Sequence, residues 1–494
     1  MPLTRRRFLR LAAGTAAAAV LPRIVFAEGS ASRRPNVLYV FSDMQRATSI
    51  GCYGDPNVRT PSLDAFARQG ARFDAAMSST PVCCPHRAAL MSGTYGLHNG
   101  TLSNGTSFKH TTKCLGETFR DAGYVTGYLG KWHIPAATEP ELGFAEVLTK
   151  HQPAAKAQGQ GHCFVVDGKK VFETTVSADI AIRFIQEKSA GAKPWMLMVS
   201  WIVPHAPYTA TEAYRSHYPA AQLKLPPNVP EGAPTAYARR ALPDYYGMIE
   251  NIDADFGRIL QALEKAGVAD DTIVCYSSDH GDMIGSHGYA NKRWPYEESA
   301  RVPLILRYPR AVKAGQVVLD PVHTPDVYPT LCGLAGVKPP AGLDGADFSA
   351  FLTGRSDRPP RDYAFLQMLY AYVPWPGWRA IRTRQYMYAR TKDKPWLLFD
   401  VLKDPCEMTN LVEDKASAAL VREMDDRLSA AMKDAGDSWD LQAADGDLQN
   451  WLPGGPKQRE AYLGVPWPGC AVTDLGRKAR GKKGQAAAKE GTGE

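Results

Sequence analysis

The chain alternates short, strongly apolar runs with amphipathic segments, beginning near residue 34. Four of the runs are rich in β-branched and aromatic residues, and polar residues that can bind ligands follow each of them. Such runs are typical of buried parallel strands, whose carboxyl ends share one edge of an open α/β sheet. The pattern therefore predicts an α/β fold with a polar site at that edge. The runs are NVLYVF before Asp43, YVTGYLG before Lys131, WMLMVSWIV before His205 and TIVCYSS before Asp279.

The remaining patterns predict helices and a second, smaller sheet. Apolar residues recur at helical spacing from Met248 to Leu263, and Gly267 indicates the end of that helix. The composition changes near Arg361, where strand-like stretches are followed by an amphipathic segment. We therefore expect a main α/β domain over residues 34–360, a C-terminal subdomain of antiparallel sheet plus helix over 361–450, and an extension over 451–476.

The formal charge of +7 is concentrated at the two ends of the chain. Residues 1–27 contain five arginines and no acidic residue, and residues 477–494 contain six basic and two acidic residues. The body between them is close to neutral, so it lacks the basic footprint of a nucleic-acid-binding protein. The last segment shows no apolar periodicity and is predicted to be a disordered basic tail over residues 477–494.

Residues 1–27 have the organisation of an export signal. Arg5 and Arg6 precede an apolar stretch with a small-residue end, a pattern that is typical of bacterial twin-arginine signals. The apolar stretch is short and is interrupted by Pro22 and Arg23, which disfavours a membrane anchor, and no later segment predicts a stable membrane span. We therefore expect a periplasmic or secreted protein that the twin-arginine machinery exports in its folded state.

The nine cysteines are irregularly spaced and odd in number, which argues against a disulfide framework but leaves one or two bridges open. Cys83 and Cys84 are adjacent. Vicinal cysteines rarely form a disulfide with each other, and the pair lacks the C-x-x-C spacing of a structural zinc site. A vicinal-dithiol redox role is the simplest interpretation of the pair, but it gives no role to the residues around it.

The stretch TPVCCPHRAALMSGTYG places Cys83, Pro85 and Arg87 in the pattern C-x-P-x-R, and it resembles the core signature of type I sulfatases. Further blocks resemble that family in matching order from about residue 34 to residue 411. The five-residue pattern alone is weakly specific, whereas the ordered set is highly specific. The resemblance implies the alkaline-phosphatase-like fold, with a central mixed sheet between helices. The further blocks are RPNVLYVFSD, GYVTGYLGKWH, VPHAP, SSDHGDMIGSHG, NKRWPYEESARVPLILRYP and LFDVLKDPCEMTNL.

The resemblance implies that Cys83 is the precursor of the nucleophile. In this family a formylglycine-generating enzyme converts the first cysteine of the signature to Cα-formylglycine, and the hydrated aldehyde attacks the substrate. Cys84 then stands at a variable position of the motif. Pro85 is expected to help start a helix whose positive N-terminus can bind a sulfate group.

The resemblance also implies a divalent metal ion, usually calcium in this family, held by Asp43, Asp279, His280 and the converted Cys83. Such an ion would bind a sulfate oxygen and orient the nucleophile. Met44 stands where the family usually has a second metal-binding side chain, and a thioether is a poor calcium ligand. Substitution by Gln45 or water, weak binding and a different ion are the open alternatives.

Two further histidines depart from the family pattern or lie beside it. His86 stands where a small residue is common, and we expect the modifying enzyme to tolerate it because recognition depends on the flanking Cys, Pro and Arg. His287 follows the second metal block, and we interpret it as structural or pocket-lining.

The other catalytic roles are carried over from the matching blocks. Arg87 is expected to fix the hydrated formylglycine through its permanent charge and forked donors. Lys131 and Lys292 are placed against the sulfate group as fixed charges. His133 would take a proton from the second hydroxyl of the hydrate, and His205 would protonate the departing alcohol with assistance from Lys292.

These features favour an exported sulfatase that acts on a sulfated small molecule or oligosaccharide, with a sulfated carbohydrate preferred because export suits polysaccharide breakdown. Two alternatives remain open. One is a phosphonate or phosphate diester hydrolase of the same superfamily, and the other is a non-catalytic sulfated-glycan-binding protein whose metal site has decayed at Met44. Specificity is expected in the loops over residues 137–170 and 206–243. Tyr208, Tyr296 and Trp294 are candidates for stacking against a sugar ring, and packing is the alternative role for each.

Overall fold

A mixed sheet of eight strands runs through the computed structural model, which describes residues 34–153, 162–369 and 377–439. Its strands are β1 (Asn36–Ser42), β2 (Ala71–Phe73), β4 (Val125–Gly130), β5 (Glu146–Val147), β8 (Trp195–Ser200), β9 (Thr272–Ser278), β10 (Leu304–Arg307) and β11 (Gln316–Val318). They lie in the order β11-β2-β10-β9-β1-β8-β4-β5. Two short pairs lie outside this sheet, one between β3 (Ala76–Met77) and β12 (Val322–His323) and one between β6 (Cys163–Val166) and β7 (Lys169–Phe172).

The four strands predicted from the apolar runs are adjacent and parallel at the centre of this sheet. Strand β1 pairs with β9 on one side and with β8 on the other, and β8 pairs with β4. The antiparallel strand β10 makes the sheet mixed. The predicted α/β class with a central mixed sheet is confirmed. Strand β8 ends earlier than predicted, at Ser200; the amide of Trp201 makes a last bond to the carbonyl of Phe41, and the chain turns from Val203 onward.

Helices cover both faces of the large sheet. The helices of the described residues are α1 (Pro61–Arg68), α2 (Cys83–Ser92), α3 (Gly96–Asn99), α4 (Leu115–Asp121), α5 (Glu173–Ser189), α6 (Glu212–Arg215), α7 (Ala233–Lys265), α8 (Glu297–Ala300), α9 (Val327–Ala335), α10 (Ser349–Leu352) and α11 (Ala418–Asp434), of which α11 covers a second sheet. Alternate residues of β1 belong to two different cores: Val37 and Tyr39 pack with residues of α2, α4 and α9, and Leu38 and Val40 pack with residues of α1, α5 and α7. Because successive strand residues point to opposite faces, the sheet lies between two helical layers.

Helix α7 is longer than the sequence pattern predicts. It begins at Ala233, fifteen residues before Met248, where the predicted stripe starts, and it runs through Pro243. The added turns bury Tyr245 and Tyr246 against residues such as Tyr218, in a small core beside the main one. An internal proline lacks the amide that would bond to the preceding turn, so the prediction began only after it.

A second sheet packs beside the first and is fully antiparallel. Its strands are β13 (Tyr363–Met368), β14 (Trp378–Thr383), β15 (Tyr386–Arg390) and β16 (Pro395–Asp400), and they pair in chain order. Helix α11 covers it with Met424 and Leu428. The predicted export signal, C-terminal extension and basic tail lie outside the described residues. No helix within the described ranges is both long enough and apolar enough to cross a bilayer.

Truncation of Phe256 on α7 should destabilise the fold, because this fully buried ring packs edge-on against Phe66 and against Tyr276, with centroid distances of 5.1 and 5.0 Å. We expect Phe256→Ala to lower the free energy of unfolding by about 3–5 kcal/mol, measured by urea denaturation. Gln261→Ala, at an exposed position of the same helix, is the matched control and should change it by less than about 0.5 kcal/mol. Equal effects of the two substitutions would contradict the packing described here.

Candidate active site

The polar residues predicted from the strand ends meet at the carboxyl edge of the large sheet. Asp43 follows β1 and Asp279 follows β9, and the pairing of Ser42 with Ser278 in register places the two aspartates side by side. Lys131 follows β4, and His205 lies in the turn that follows β8. This convergence is a property of parallel strands, and it is the reason that residues far apart in the chain form one site.

Cys83 is the first residue of α2, and its side chain is buried among these groups. Val82 precedes it in extended conformation and accepts the first bond of the helix from the amide of His86, at 3.0 Å. The Cys83 Sγ lies 3.0 Å from Lys292 Nζ, 3.7 Å from Lys131 Nζ and 3.3 Å from the Nε2 of the neighbouring metal-block histidine, His280. A helix N-terminus and two ammonium groups therefore surround the sulfur with positive charge.

The two adjacent cysteines have opposite electrostatic environments. Burial and the charge of Asp43 oppose ionisation of Cys83, but Lys292, His280 and a hydrogen bond from the His133 side chain hold its pKa well below the ordinary value. Burial raises the pKa of Cys84 to about 12. Cys83 is therefore the reactive member of the pair, and Cys84 is an interior thiol.

Arg87 lies one turn into α2, and its fully buried guanidinium joins the ends of the central strands. Its Nη2 donates to Asp43 Oδ2 at 3.1 Å and to Asp279 Oδ2 at 3.0 Å. Its Nη1 donates to Ser200 Oγ at 2.6 Å and to the Lys131 carbonyl at 2.8 Å. Arg87 thus fixes the two carboxylates. Ser200 belongs to this network but was not predicted, because a serine at the end of an apolar run gives no distinctive sequence signal.

Four side chains form a group that fits a divalent cation. One ligand atom each of Asp43, Cys83, Asp279 and His280 lies within 4.8 Å of the others. The His280 Nδ1 lies 2.9 Å from the carbonyl of Gly281, which can only accept, so Nδ1 carries the proton. Nε2, the nitrogen that is left for a metal ion, then faces Asp279 Oδ1 at 3.4 Å and Asp43 Oδ1 at 3.9 Å. Two carboxylates and an imidazole nitrogen in this arrangement are suitable ligands for a divalent ion.

The charges of the two aspartates also fit a cation. Burial opposes the ionisation of Asp43, but Lys131, Lys292 and Arg87 hold its pKa well below the ordinary value. Burial and the neighbouring charge of Asp43 raise the pKa of Asp279. A cation between these carboxylates would relieve their mutual repulsion and favour the ionised form of both.

The residues after Asp43 do not supply the missing metal ligand. Gln45 Oε1 accepts hydrogen bonds from Ser42 Oγ at 2.8 Å and from the Tyr276 hydroxyl at 2.6 Å, so it is engaged inside the sheet. Of the open alternatives for the position of Met44, these hydrogen bonds disfavour substitution by Gln45. Met44 supports the metal group only indirectly: its backbone amide donates a hydrogen bond to Asp279 Oδ1 at 3.2 Å. The residue has a left-handed backbone conformation, with φ of 68°.

Each of the two predicted proton-transfer histidines interacts with one residue of this centre. His133 is exposed, and its side chain helps to lower the pKa of Cys83. His205 acts electrostatically on Asp43, and its Nδ1 lies 2.7 Å from the carbonyl of Ala206. Since a carbonyl only accepts, that nitrogen carries a proton and Nε2 is left for exchange with a substrate. His162 also lies here, with its Nε2 2.6 Å from the carbonyl oxygen of His205. No motif marked His162 in the sequence.

His86 fills an interior position beside the site. Its Nδ1 lies 2.9 Å from Ser78 Oγ and 3.1 Å from Thr324 Oγ1. Burial, His280 and Arg87 hold its pKa well below the ordinary value, so the ring is neutral. His86 therefore adds no charge to the site.

The aromatic residues proposed for sugar stacking are packed against other side chains. Trp294 is buried, and its ring stacks on Tyr289 with a centroid distance of 3.8 Å, so packing is the role that the structure supports for Trp294. The ring of Tyr296 stacks on His287 at 4.0 Å. Tyr208 packs edge-on against a neighbouring tyrosine, and its hydroxyl bonds to a carboxylate.

Comparisons with known proteins agree with this geometry. The family model described as Sulfatase matches residues 35–337, and the model described as N-sulphoglucosamine sulphohydrolase, C-terminal, matches residues 285–434. An ulvan-active sulfatase of Formosa agariphila is 32% identical over 422 residues, which cover 82% of this chain and 82% of that protein.

Two solved structures share the fold. The putative sulfatase yidJ from Bacteroides fragilis superposes with a TM-score of 0.70 at 26% identity, covering 84% of this chain and 98% of that one. The phosphonate monoester hydrolase of Agrobacterium radiobacter superposes with a TM-score of 0.68 at 24% identity, covering 81% of this chain and 96% of that one. The chain therefore belongs to the type I sulfatase family, and it is a sulfuric ester hydrolase of alkaline-phosphatase-like fold.

Proposed function

We propose that this protein is an exported sulfatase that hydrolyses a sulfate ester of a carbohydrate through a formylglycine hydrate derived from Cys83, with a divalent metal ion that we expect to be calcium. The observation that carries the proposal is the position of Cys83. It lies buried at the N-terminus of α2, with Lys292 Nζ and Lys131 Nζ at 3.0 and 3.7 Å from its sulfur. A sulfate monoester is an anion, so its attack by an oxygen nucleophile requires this concentration of positive charge.

The residues around Cys83 can perform both halves of the reaction. One hydroxyl of the hydrate gives its proton to a neighbouring carboxylate, Asp43 or Asp279, as its oxygen attacks sulfur, and the bond between sulfur and the alcohol oxygen breaks. His205 gives the departing oxygen a proton through Nε2. His133 then takes the proton of the second hydroxyl, the aldehyde re-forms, and inorganic sulfate leaves. When bound by Asp43, Asp279, His280 and the converted residue, the metal ion would supply charge neutralisation at a sulfate oxygen.

A sulfated carbohydrate is the substrate class that the relatives favour. The ulvan-active sulfatase and the family model for the C-terminal part of N-sulphoglucosamine sulphohydrolase both carry names of enzymes that act on sulfated sugars. Export rests on the arginine-rich residues 1–27 alone. If the twin-arginine machinery exports the folded chain, a formylglycine-generating enzyme must convert Cys83 before export, because the cysteine is buried after folding.

The same fold also supports phosphonate ester hydrolysis, so the two activities need a direct comparison. We expect 4-nitrophenyl sulfate to be hydrolysed with a kcat/KM at least about tenfold above that of 4-nitrophenyl phenylphosphonate, because Lys131, Lys292 and the metal site supply charge for a dianionic transition state. The measurement uses one preparation of converted enzyme at one pH. A preference for the phosphonate would assign the protein to the alternative activity, and binding of sulfated glycans without turnover of either ester would support a non-catalytic role.

Replacement of Cys83 tests the nucleophile. We expect Cys83→Ala to reduce kcat/KM for 4-nitrophenyl sulfate by about a thousandfold or more, because no hydrate can form. Cys84→Ala is the matched control and should retain activity within about tenfold, since its thiol is an interior group. Mass spectrometry of tryptic peptide 73–87 should show loss of sulfur and two hydrogens and gain of one oxygen at Cys83. Full activity from protein with unmodified Cys83 would contradict the mechanism.

The metal group can be tested without any measurement of activity. In unconverted protein the Cys83 sulfur lies among Asp43, Asp279 and His280, and we expect added Co²⁺ to show a sulfur-to-cobalt charge-transfer band in the near ultraviolet. Cys83→Ser should abolish the band, Asp279→Asn should weaken Co²⁺ binding by about 10- to 100-fold, and Cys84→Ser should leave both unchanged. A band that persists in Cys83→Ser would place the metal elsewhere.

A further inference from the structure

His162 contacts the turn that carries His205 from outside the central sheet. It lies immediately before β6, and its own carbonyl accepts a hydrogen bond from the amide of Glu173 at 2.8 Å, at the start of α5. Its imidazole reaches back toward the sheet, where Nε2 lies 2.6 Å from the carbonyl oxygen of His205. Since the carbonyl only accepts, His162 is the donor through an Nε2–H group.

A backbone hydrogen bond joins the start of the turn around His205 to the central sheet. The carbonyl of Val203 accepts from the amide of Asp43 at 3.3 Å, and the amide of His205 donates to the carbonyl of Ile202 at 3.1 Å. These bonds fix the start of the turn beside the metal group. The hydrogen bond from His162 fixes the peptide unit of His205 itself, so the imidazole of His205 is held between the sheet and the β6–β7 segment.

The orientation of the His205 ring depends on that same peptide region. Its Nδ1 donates to the carbonyl of Ala206 at 2.7 Å, which directs Nε2 away from the backbone. A shift of the His205–Ala206 peptide would therefore move the acceptor that orients the ring. Displacements of about 1 Å in a catalytic group can cost about a hundredfold in rate.

We infer that His162 is a positioning residue that holds His205 in the orientation needed to protonate the leaving group. This inference rests on the proposed function, in which His205 is the general acid. His162 acts through the backbone of His205 and needs no contact with the substrate. The sulfur-oxygen cleavage is unchanged by this role: the proton passes from His205 Nε2 to the alcohol oxygen, and His162 keeps its own proton.

A loss of general-acid orientation has a kinetic signature that a loss of stability lacks. Protonation contributes little when the leaving group is a weakly basic nitrophenolate, and it contributes much when the leaving group is a strongly basic oxygen. A misplaced general acid therefore slows selectively the hydrolysis of esters that have strongly basic leaving groups. A change that merely lowers the amount of folded enzyme slows every ester by the same factor.

The experiment compares aryl sulfates of decreasing leaving-group acidity, namely 4-nitrophenyl, 4-chlorophenyl and phenyl sulfate, with converted enzyme. We expect His162→Ala to reduce kcat/KM by about tenfold or more for phenyl sulfate and by only about twofold for 4-nitrophenyl sulfate. The plot of log kcat/KM against leaving-group pKa should become steeper. His162→Gln should restore the wild-type slope, because its amide N–H can donate to the same carbonyl.

His217→Ala provides the matched control, since this exposed histidine bonds to Glu250 on the protein surface and contacts none of the proposed catalytic residues in the described structure. Its slope should equal that of the wild type.

An equal loss for all three esters, an unchanged slope in His162→Ala, or a failure of His162→Gln to restore the slope would overturn the positioning role. Absence of hydrolysis by the wild type itself would instead contradict the proposed function, and the role of His205 with it. Thermal unfolding of each variant identifies any that has failed to fold, and His162→Phe, which also lacks a hydrogen-bond donor, then replaces His162→Ala in the comparison.

Discussion

The arrangement of the site depends on the balance of charge around the buried guanidinium of Arg87. This group donates to Asp43 and Asp279, whose side chains are fully buried at the ends of neighbouring strands. Removing one partner of such a buried pair typically costs about 3–5 kcal/mol, because the other charge is left without compensation. Arg87 therefore holds in place the two carboxylates that face the candidate metal position. Because Arg87 belongs to α2, the helix that carries Cys83, its ion pairs also link that helix to the ends of β1 and β9.

The same charge balance explains why one cysteine of the pair is reactive. Cys83 is surrounded by Lys292 and His280 on the side of the site, whereas Cys84 points into the interior. A single residue step along a helix turns a side chain by about 100°, so adjacent thiols face different environments. The conversion of Cys83 to an aldehyde hydrate would place an oxygen nucleophile where the positive charge is greatest. The neutral His86 at the next turn keeps that balance intact.

Much of the fold follows from features that act over short distances in the sequence. The apolar runs predicted β1, β4, β8 and β9 because strands buried on both faces contain few polar residues, and those polar residues collect where each strand ends. The prediction of helix α7 began only after Pro243, because a proline in a helix interior is stabilised by tertiary packing that the local pattern does not contain. The start of α2 at Cys83 was anticipated from Pro85 in its first turn.

The sequence by itself determined the four central strands, the residue types of the site and, through the ordered motifs, the family, because these depend on composition and spacing along the chain. Only the tertiary structure decided which side chains meet. Gln45 was a reasonable metal ligand from its position, yet its amide is held by Ser42 and Tyr276. Trp294 was a reasonable stacking residue, yet its ring is buried against Tyr289. Ser200 and His162 carry no motif and act through hydrogen bonds to Arg87 and His205. Such contacts join residues 43 to 113 positions apart in the chain, and their geometry is fixed only when the strands and helices pack.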